Sequence, residues 1–346
     1  NYYKYNIMNL NIFDFSLPDR LIAQNPKIKR SESKLLVIDR KQNNLIDDYF
    51  FNINQYIKKD DLVIINDTKV IPARIFGKRE KTWGKVELFI ERVINKSSFV
   101  CQLKSTRKIK KGDIIIIAEG IKLEVIKNSN TLCEMQLLNK TVQYLLDNYG
   151  EIPLPPYIRR EVNDDDKNFY QTIFAKKTGS VAAPTAALHF DELILKKLQN
   201  KGVKFSSVTL HIGMGTFSTI KSKNINNHRM HSELYSVPKE TLNLIKICKN
   251  NGGKIFAVGT TVARALESFH KSKNLTDKFY DTDIFIKPGY EFKVVDHLIT
   301  NFHLPQSSLL VMICAFYDTK KILKAYNHAI KKNYSFFSYG DSTLIL

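Results

Sequence analysis

The hydrophobic texture of the chain changes twice, and this constrains the fold more than any single motif. Between about Ile71 and Lys140 the apolar residues come in short runs, "KVELFIE", "SFVCQLK", "DIIIIAEG", "IKLEVIK" and "TLCEMQLL", several alternating with period two. The turn formers "KKGD", "EG" and "NSN" separate them. Such spacing predicts a small antiparallel barrel or sandwich. After Arg160 the texture becomes α/β. "DELILKKLQNKG" predicts a helix begun near Asp191 and stopped by Gly202, "VKFSSVTL" a strand, and "PKETLNLIKICKNNGG" a second helix. "KIFAVG" and "TTVARALESFHKS" add a strand and a helix. This β-α-β-α order requires a parallel or mixed sheet.

Upstream, "SKLLVIDR" reads as a strand, and "DLVIINDTKV" as a buried strand ending in the polar Asn66, Asp67 and Thr68. "FDFSLPDRLIAQNP" predicts an extended entry and a short helix from Pro18, while "EIPLPPYIRR" is a proline-extended return linker. "SLLVMICAF" is too short for a membrane span and reads as a buried strand or core segment. The fold class expected is α/β: a large barrel-like α/β domain with an inserted small all-β barrel. The large domain is discontinuous, residues 8–70 and 150–346, and the insertion is 71–149. A chain of 346 residues fits two such domains.

With 53 basic against 34 acidic residues the net charge is +19. That points to a polyanionic partner or to a composition rich in Lys, Asn and Ile throughout. Cys101, Cys133, Cys248 and Cys314 are far apart, which suggests neither a zinc knuckle nor a disulfide framework and fits a reducing cytosol. The first residues lack the apolar centre of a signal peptide, and Met8 is a natural start. Nothing in the pattern demands a membrane, or more than a monomer.

Polar clusters follow three predicted strands: "HIGMGTF", "GTTVAR" and "TNFHLP". Ligands bind at the C-terminal ends of strands in parallel α/β folds. All eight histidines lie at or after position 189, so acid–base chemistry belongs to the α/β domain. In the first cluster Gly213, Gly215 and Thr216 let backbone approach a ligand, or make an ordinary turn. In the second, Gly259, Thr260 and Thr261 offer N–H groups to a ligand, or a plain N-cap. Asn301 and His303 in the third hold either ligand or structure. "HRMHSE" lacks a metal-site spacing and reads as a polar loop. Asp67 is an acid or base, or a turn former. The segment 179–190, "GSVAAPTAALHF", carries no charge despite its basic context. Its Gly179, Ala183 and Thr185 would bring main chain against a flat ligand such as a nucleobase, or pack a seam.

These blocks, with "NDTKVIPARIFG", "GEIPLPPYI", "TDIFIKPGY", "LITNFHLPQSSLL" and "FFSYGDSTLIL", resemble the S-adenosylmethionine:tRNA ribosyltransferase-isomerase family of queuosine synthesis. They run in the family's order from about Phe13 to Leu346. Departures are mild: Val262-Ala263 and Ser342-Thr343 replace the pairs expected there. The resemblance implies transfer and isomerisation of the ribosyl group of S-adenosylmethionine onto the 7-aminomethyl-7-deazaguanine base at tRNA wobble position 34. Epoxyqueuosine-tRNA forms, and adenine and methionine leave. S-adenosylmethionine is then a substrate, tRNA the partner, no metal or redox cofactor is called for, and the location is cytoplasmic. The sulfonium acidifies the C5′ protons, so a base and an acid are needed in a pocket that excludes water. Candidates are His211 first, then His189, His303 and Asp67. Arg74, Arg229 and Arg264 are expected at phosphates, although Arg264 could pair with Glu267 at i,i+3. A non-enzymatic RNA-binding protein would explain the charge but not histidines grouped behind strands. A conventional methyltransferase would show a Gly-rich loop after its first strand.

Overall fold

A computed structural model describes residues 8–129, 132–217, 219–272 and 275–346; the residues before Met8 lie outside it. The large sheet takes β1 (Lys34–Asp39), β2 (Asn44–Tyr49) and β3 (Leu62–Asn66) from the N-terminal part. A short β4 (Thr68–Val70) leads out of it. The inserted unit then supplies β5 (Arg74–Arg79), β6 (Lys85–Val93), β7 (Ser98–Ser105), β8 (Ile114–Ala118), β9 (Ile121–Asn128) and β10 (Cys133–Leu137). The chain returns through β11 (Lys177–Ser180), then β12 (Lys204–Leu210), β13 (Glu233–Ser236), β14 (Ile255–Val258), β15 (Tyr280–Thr282), β16 (His297–Asn301) and β17 (Ser342–Ile345).

The large sheet has nine strands in the order β15-β13-β12-β3-β14-β16-β17-β1-β2. Its centre, β12-β3-β14-β16, is parallel throughout. The α/β class holds, but this sheet ends in the edges β2 and β15 and is not itself a closed barrel. β3 is buried at all five positions because helices cover both sides. Leu62 and Ile64 face one core while Val63 and Ile65 face the other, as the strand's period requires. β2, "NLIDDY", is mostly exposed and its carboxylates suit an edge.

The insertion closes into a six-stranded antiparallel barrel, β10-β7-β6-β5-β8-β9. Ile75, Leu88, Phe99, Ile115, Leu123 and Met135 alternate into its separate core. β4 and β11, where the chain leaves and re-enters, pair in parallel, so the barrel hangs from one doorway. The helix Glu192–Asn200 starts on Asp191, whose Oδ1 accepts from the Ile194 N–H at 2.8 Å. Gly202 follows it at φ +87°.

Two expectations are corrected. Of the two readings of "SLLVMICAF", the core segment holds and the strand does not: it is a buried helix, Ser308–Phe316. The apolar run after Ser308 carries no period to separate helix from strand, and the Ser307 hydroxyl, accepting from the Leu310 N–H at 3.2 Å, is the capping signal. The helix expected from Pro18 is only a 3₁₀ turn, Asp19–Leu21. All four cysteines are free and buried. No helix among the described residues is long and apolar enough to cross a membrane.

Candidate functional site

A cleft opens at the C-terminal ends of the parallel strands. Each strand delivers its following residues to the wall: Ile212 and Thr216 after β12, Gly259, Thr260 and Thr261 after β14, and His303 after Asn301 of β16. Opposite them runs the uncharged segment, through Ala182, Ala183, Pro184, Thr185 and Ala186. It is small because it is threaded against other main chain. The Val181 N–H donates to the Ile212 carbonyl at 3.0 Å, and the Ser180 hydroxyl accepts from the Ile212 N–H at 2.9 Å. Gly259 sits at φ +98°, and its N–H donates to the Ile299 carbonyl at 2.7 Å. Asn66 pins the site from below: its amide donates to the Leu210 carbonyl at 2.9 Å and to Thr261 Oγ1 at 3.3 Å.

The three candidate histidines do not form one cluster. His303 lines the cleft and shares a 2.9 Å hydrogen bond with Thr300 Oγ1 through Nε2. Burial drives its pKa down to about 3. His189 lies in a neighbouring pocket that shares Ser338 with the cleft; its Nδ1 meets Ser33 Oγ at 2.8 Å. Burial lowers it to about 4, against a smaller upward pull from Asp341. His211 stands beside the cleft, next to Ile212. Its Nδ1 meets Thr68 Oγ1 at 2.8 Å, and its ring stacks on Phe279 at 5.3 Å. Burial lowers its pKa, Asp67 opposes this and Lys177 adds to it. All three are therefore neutral imidazoles at pH 7, able to accept a proton and carrying no resting charge. Asp67 is buried and accepts from Thr209 Oγ1 at 2.6 Å and Ser207 Oγ at 3.3 Å.

Gly179 is not in the cleft wall; it lies against His211, where a Cβ would come 2.8 Å from Cε1. Gly213 and Gly215 belong to the loop that joins β12 to the cleft. Glu233 of β13 ties this loop down, accepting from the Gly213 N–H at 3.0 Å and Thr216 Oγ1 at 3.1 Å. Arg264 neutralises Glu233. This corrects the expected pairing: Glu267 instead accepts from the Tyr290 hydroxyl and the 293–295 backbone, and Arg264, only 3% exposed, pairs with Glu233. Arg229 is exposed on the loop after Asn227. Arg74 is on the barrel, bonded to Glu87 at 2.7 Å between the rings of Phe76 and Phe89.

Several wall residues were not singled out from the sequence: Tyr157, Thr300, Phe302, Ser307, Phe337 and Ser338. Tyr157 reaches Ser338 at 2.7 Å, joining the proline-rich linker to the C-terminal segment. They lie inside the blocks "EIPLPPYI", "LITNFHLPQSSLL" and "FFSYGDSTLIL", where nothing local in the sequence sets them apart from their neighbours. Among the described residues, no group of three or more His, Cys, Asp or Glu could hold a metal ion.

A family model described as a queuosine biosynthesis protein matches residues 10–345. The chain is 46% identical over 339 residues to an S-adenosylmethionine:tRNA ribosyltransferase-isomerase of Sulfurihydrogenibium sp. (strain YO3AOP1), covering 98% of this chain and 100% of that one. It is 45% identical over 334 residues to the protein of the same name from Coxiella burnetii (strain RSA 493 / Nine Mile phase I), covering 96% and 97%. The crystal structure of an S-adenosylmethionine tRNA ribosyltransferase from Thermotoga maritima matches with a TM-score of 0.55 at 31% identity, covering 97% of this chain and 100% of that one.

Proposed function

We infer the reaction from one premise: the chain belongs to the queuosine biosynthesis protein family. Its activity is that of an S-adenosylmethionine:tRNA ribosyltransferase-isomerase. The finer reading takes the acceptor as the aminomethyl-deazaguanine of the wobble position and the products as epoxyqueuosine-tRNA, adenine and methionine. The observation that carries it is the cleft: an uncharged wall of small residues facing the ends of parallel strands, with neutral imidazoles in and beside it.

Within this reading His211 is the base. In this role Nδ1–H donates to Thr68 Oγ1, and Nε2 is the atom that receives the proton. A general base works best with a pKa near the operating pH. His303 and His189, at about 3 and about 4, are too weak as bases for that and serve position and packing. The chemistry consumes S-adenosylmethionine as a substrate and calls on no metal. A cytoplasmic monomer acting on tRNA completes the proposal. The test is to incubate the protein with S-adenosylmethionine and tRNA bearing the modified base. Adenine and methionine should appear together, and neither without that tRNA. S-adenosylhomocysteine in their place would mean methyl transfer and end the reading.

A further inference from the structure

We propose that the outer face of the barrel around Trp83 is a tRNA-binding surface, on which an RNA base stacks while lysines hold the flanking phosphates. This rests on the tRNA-modifying function above. Trp83 is the only tryptophan of the chain, and it stands 64% exposed in the turn between β5 and β6. Phe76, 46% exposed, lies on the same groove. Large aromatics held in solvent along one groove mark an interaction site rather than a core.

The register explains the charge. Lys78 of β5 is directly opposite Lys85 of β6, and on its other side opposite Ile116, which faces Lys122 of β9. One row thus crosses four strands carrying three lysines. Like charges directly opposite one another destabilise a sheet. Neither Lys78 nor Lys85 forms an ion pair among the described residues; Lys78 instead lies 6.0 Å from the Trp83 ring. Of the two carboxylates on the groove, Glu87 is occupied by Arg74 at 2.7 Å and Lys104 at 3.8 Å, and Glu119 is the other. Residues 71–149 hold 15 basic against 8 acidic residues, a net +7 of the +19 in under a quarter of the chain. A uniform compositional bias would not concentrate charge there. An exposed aromatic ringed by lysines fits single-stranded nucleic acid, because every base has a face to stack and every linkage a charge.

The groove is also placed to share a substrate with the cleft. Six residues beyond Lys85 on the same strand, Glu91 lies 3.2 Å from where a Cβ on Gly213 would sit. At ~3.3 Å per residue, β6 spans ~20 Å from the groove to the cleft's loop. One RNA stem-loop can rest on the first and place a base in the second.

The sole tryptophan makes the test direct. Full-length protein is titrated with tRNA while tryptophan fluorescence is read, and Kd is measured independently by anisotropy of labelled tRNA. Saturable quenching at that Kd is expected. Trp83→Ala should weaken binding about 5- to 100-fold, from the worth of one base–aromatic stack, and Trp83→Phe should restore most of it. Lys78→Ala with Lys85→Ala should reduce the slope of log K against log salt by ~1.4–1.8. At saturating tRNA, kcat should stay within about twofold of wild type, since none of these residues touches the cleft. Tight tRNA binding without quenching, and undiminished in Trp83→Ala, overturns this proposal alone. Failure of wild-type protein to bind tRNA at all overturns the function it rests on, and the proposal with it.

Discussion

Around the cleft, the wall at 182–186 carries no charge, and burial strips His189 and His303 of theirs. On the barrel, Trp83 and Phe76 stand in solvent among Lys78, Lys85, Lys104 and Lys122. The first region pays desolvation to keep its imidazoles neutral; the second holds Lys78 and Lys85 opposite each other without a carboxylate partner among the described residues, while Lys104 and Lys122 pair with Glu87 and Glu80. The contrast teaches that a basic protein need not be basic where it reacts. On the proposed mechanism, a cationic sulfonium substrate and proton transfer at carbon would both be served by an uncharged pocket. On the proposed reading, phosphates held on the barrel bring no further cation to His211, whose pKa burial and Lys177 already lower.

The comparison breaks if chemistry and grip cannot be separated, and His211→Ala is the sharpest attempt. A positioned general base contributes about 10²–10⁴-fold. The substitution should lower kcat by at least about 10²-fold. Affinity for tRNA should stay within a factor of about three if, as proposed, the barrel supplies the phosphate contacts. An enzyme that has lost melting temperature but keeps its activity per folded molecule would show that His211 only packs against Phe279 and Gly179.

Next in size is the ion pair under the cleft's loop. Glu233 and Arg264 are both buried, and removing one partner of such a pair leaves the other charge uncompensated. Glu233→Ala should cost about 3–5 kcal/mol in urea unfolding. The barrel pair Arg74–Glu87, more exposed, should cost about 1 kcal/mol or less when Arg74 is replaced. Equal losses at the two would erase the distinction between a dry site and a wet one.

How much of this contrast was readable beforehand follows from the range of the interactions. The barrel strands were legible because alternation is local, and the three polar clusters because each directly follows its own strand. The helix Ser308–Phe316 was not, since the eight consecutive apolar residues after Ser308 carry no period. β2 was missed because an edge strand such as "NLIDDY" is mostly polar. Arg264 was given the wrong partner because Glu267 is near in sequence, whereas Glu233 reaches it only through the antiparallel pairing of β13 with β12. The groove was overlooked although Lys78, Trp83 and Lys85 lie within eight residues of one another, because only register adds Lys104 and Lys122 to the same face.

A smaller effect is expected from pH. His189 is lowered from 6.5 to about 4 by burial. Below pH 6.5 the unfolded chain takes up a proton that the folded chain refuses until about pH 4. Stability is therefore full above pH 6.5 and falls as pH drops through this window, by about 3 kcal/mol for this group. His303 adds a loss of the same sign, reaching down to about pH 3. Urea unfolding of His189→Asn across pH 7 to 4 should show a shallower fall than wild type. Parallel curves would mean that His189 titrates normally and that the region is wetter than its burial indicates.

The smallest expected effect tests why the uncharged segment begins with glycine. Gly179 lies at φ +151°, and a Cβ there would stand 2.8, 2.9 and 3.0 Å from Cε1, Nε2 and Nδ1 of His211. Those three distances place the added methyl over the ring, which is also stacked on Phe279. Gly179→Ala must then shift the imidazole while leaving its chemistry intact. A displacement of the order of 1 Å can cost up to about 10²-fold, and a partial shift should lower kcat about tenfold. Backbone strain would add about 1–3 kcal/mol of lost stability, so a control must share the strain without the contact. Gly289 provides it, at φ +98° with nothing within 4 Å of its Cβ position. Gly289→Ala should lose stability similarly and keep kcat per folded molecule, whereas Gly179→Ala should lose both. If the two variants are equally active, the glycine serves only the turn, and the tight seat of His211 has no part in the reaction.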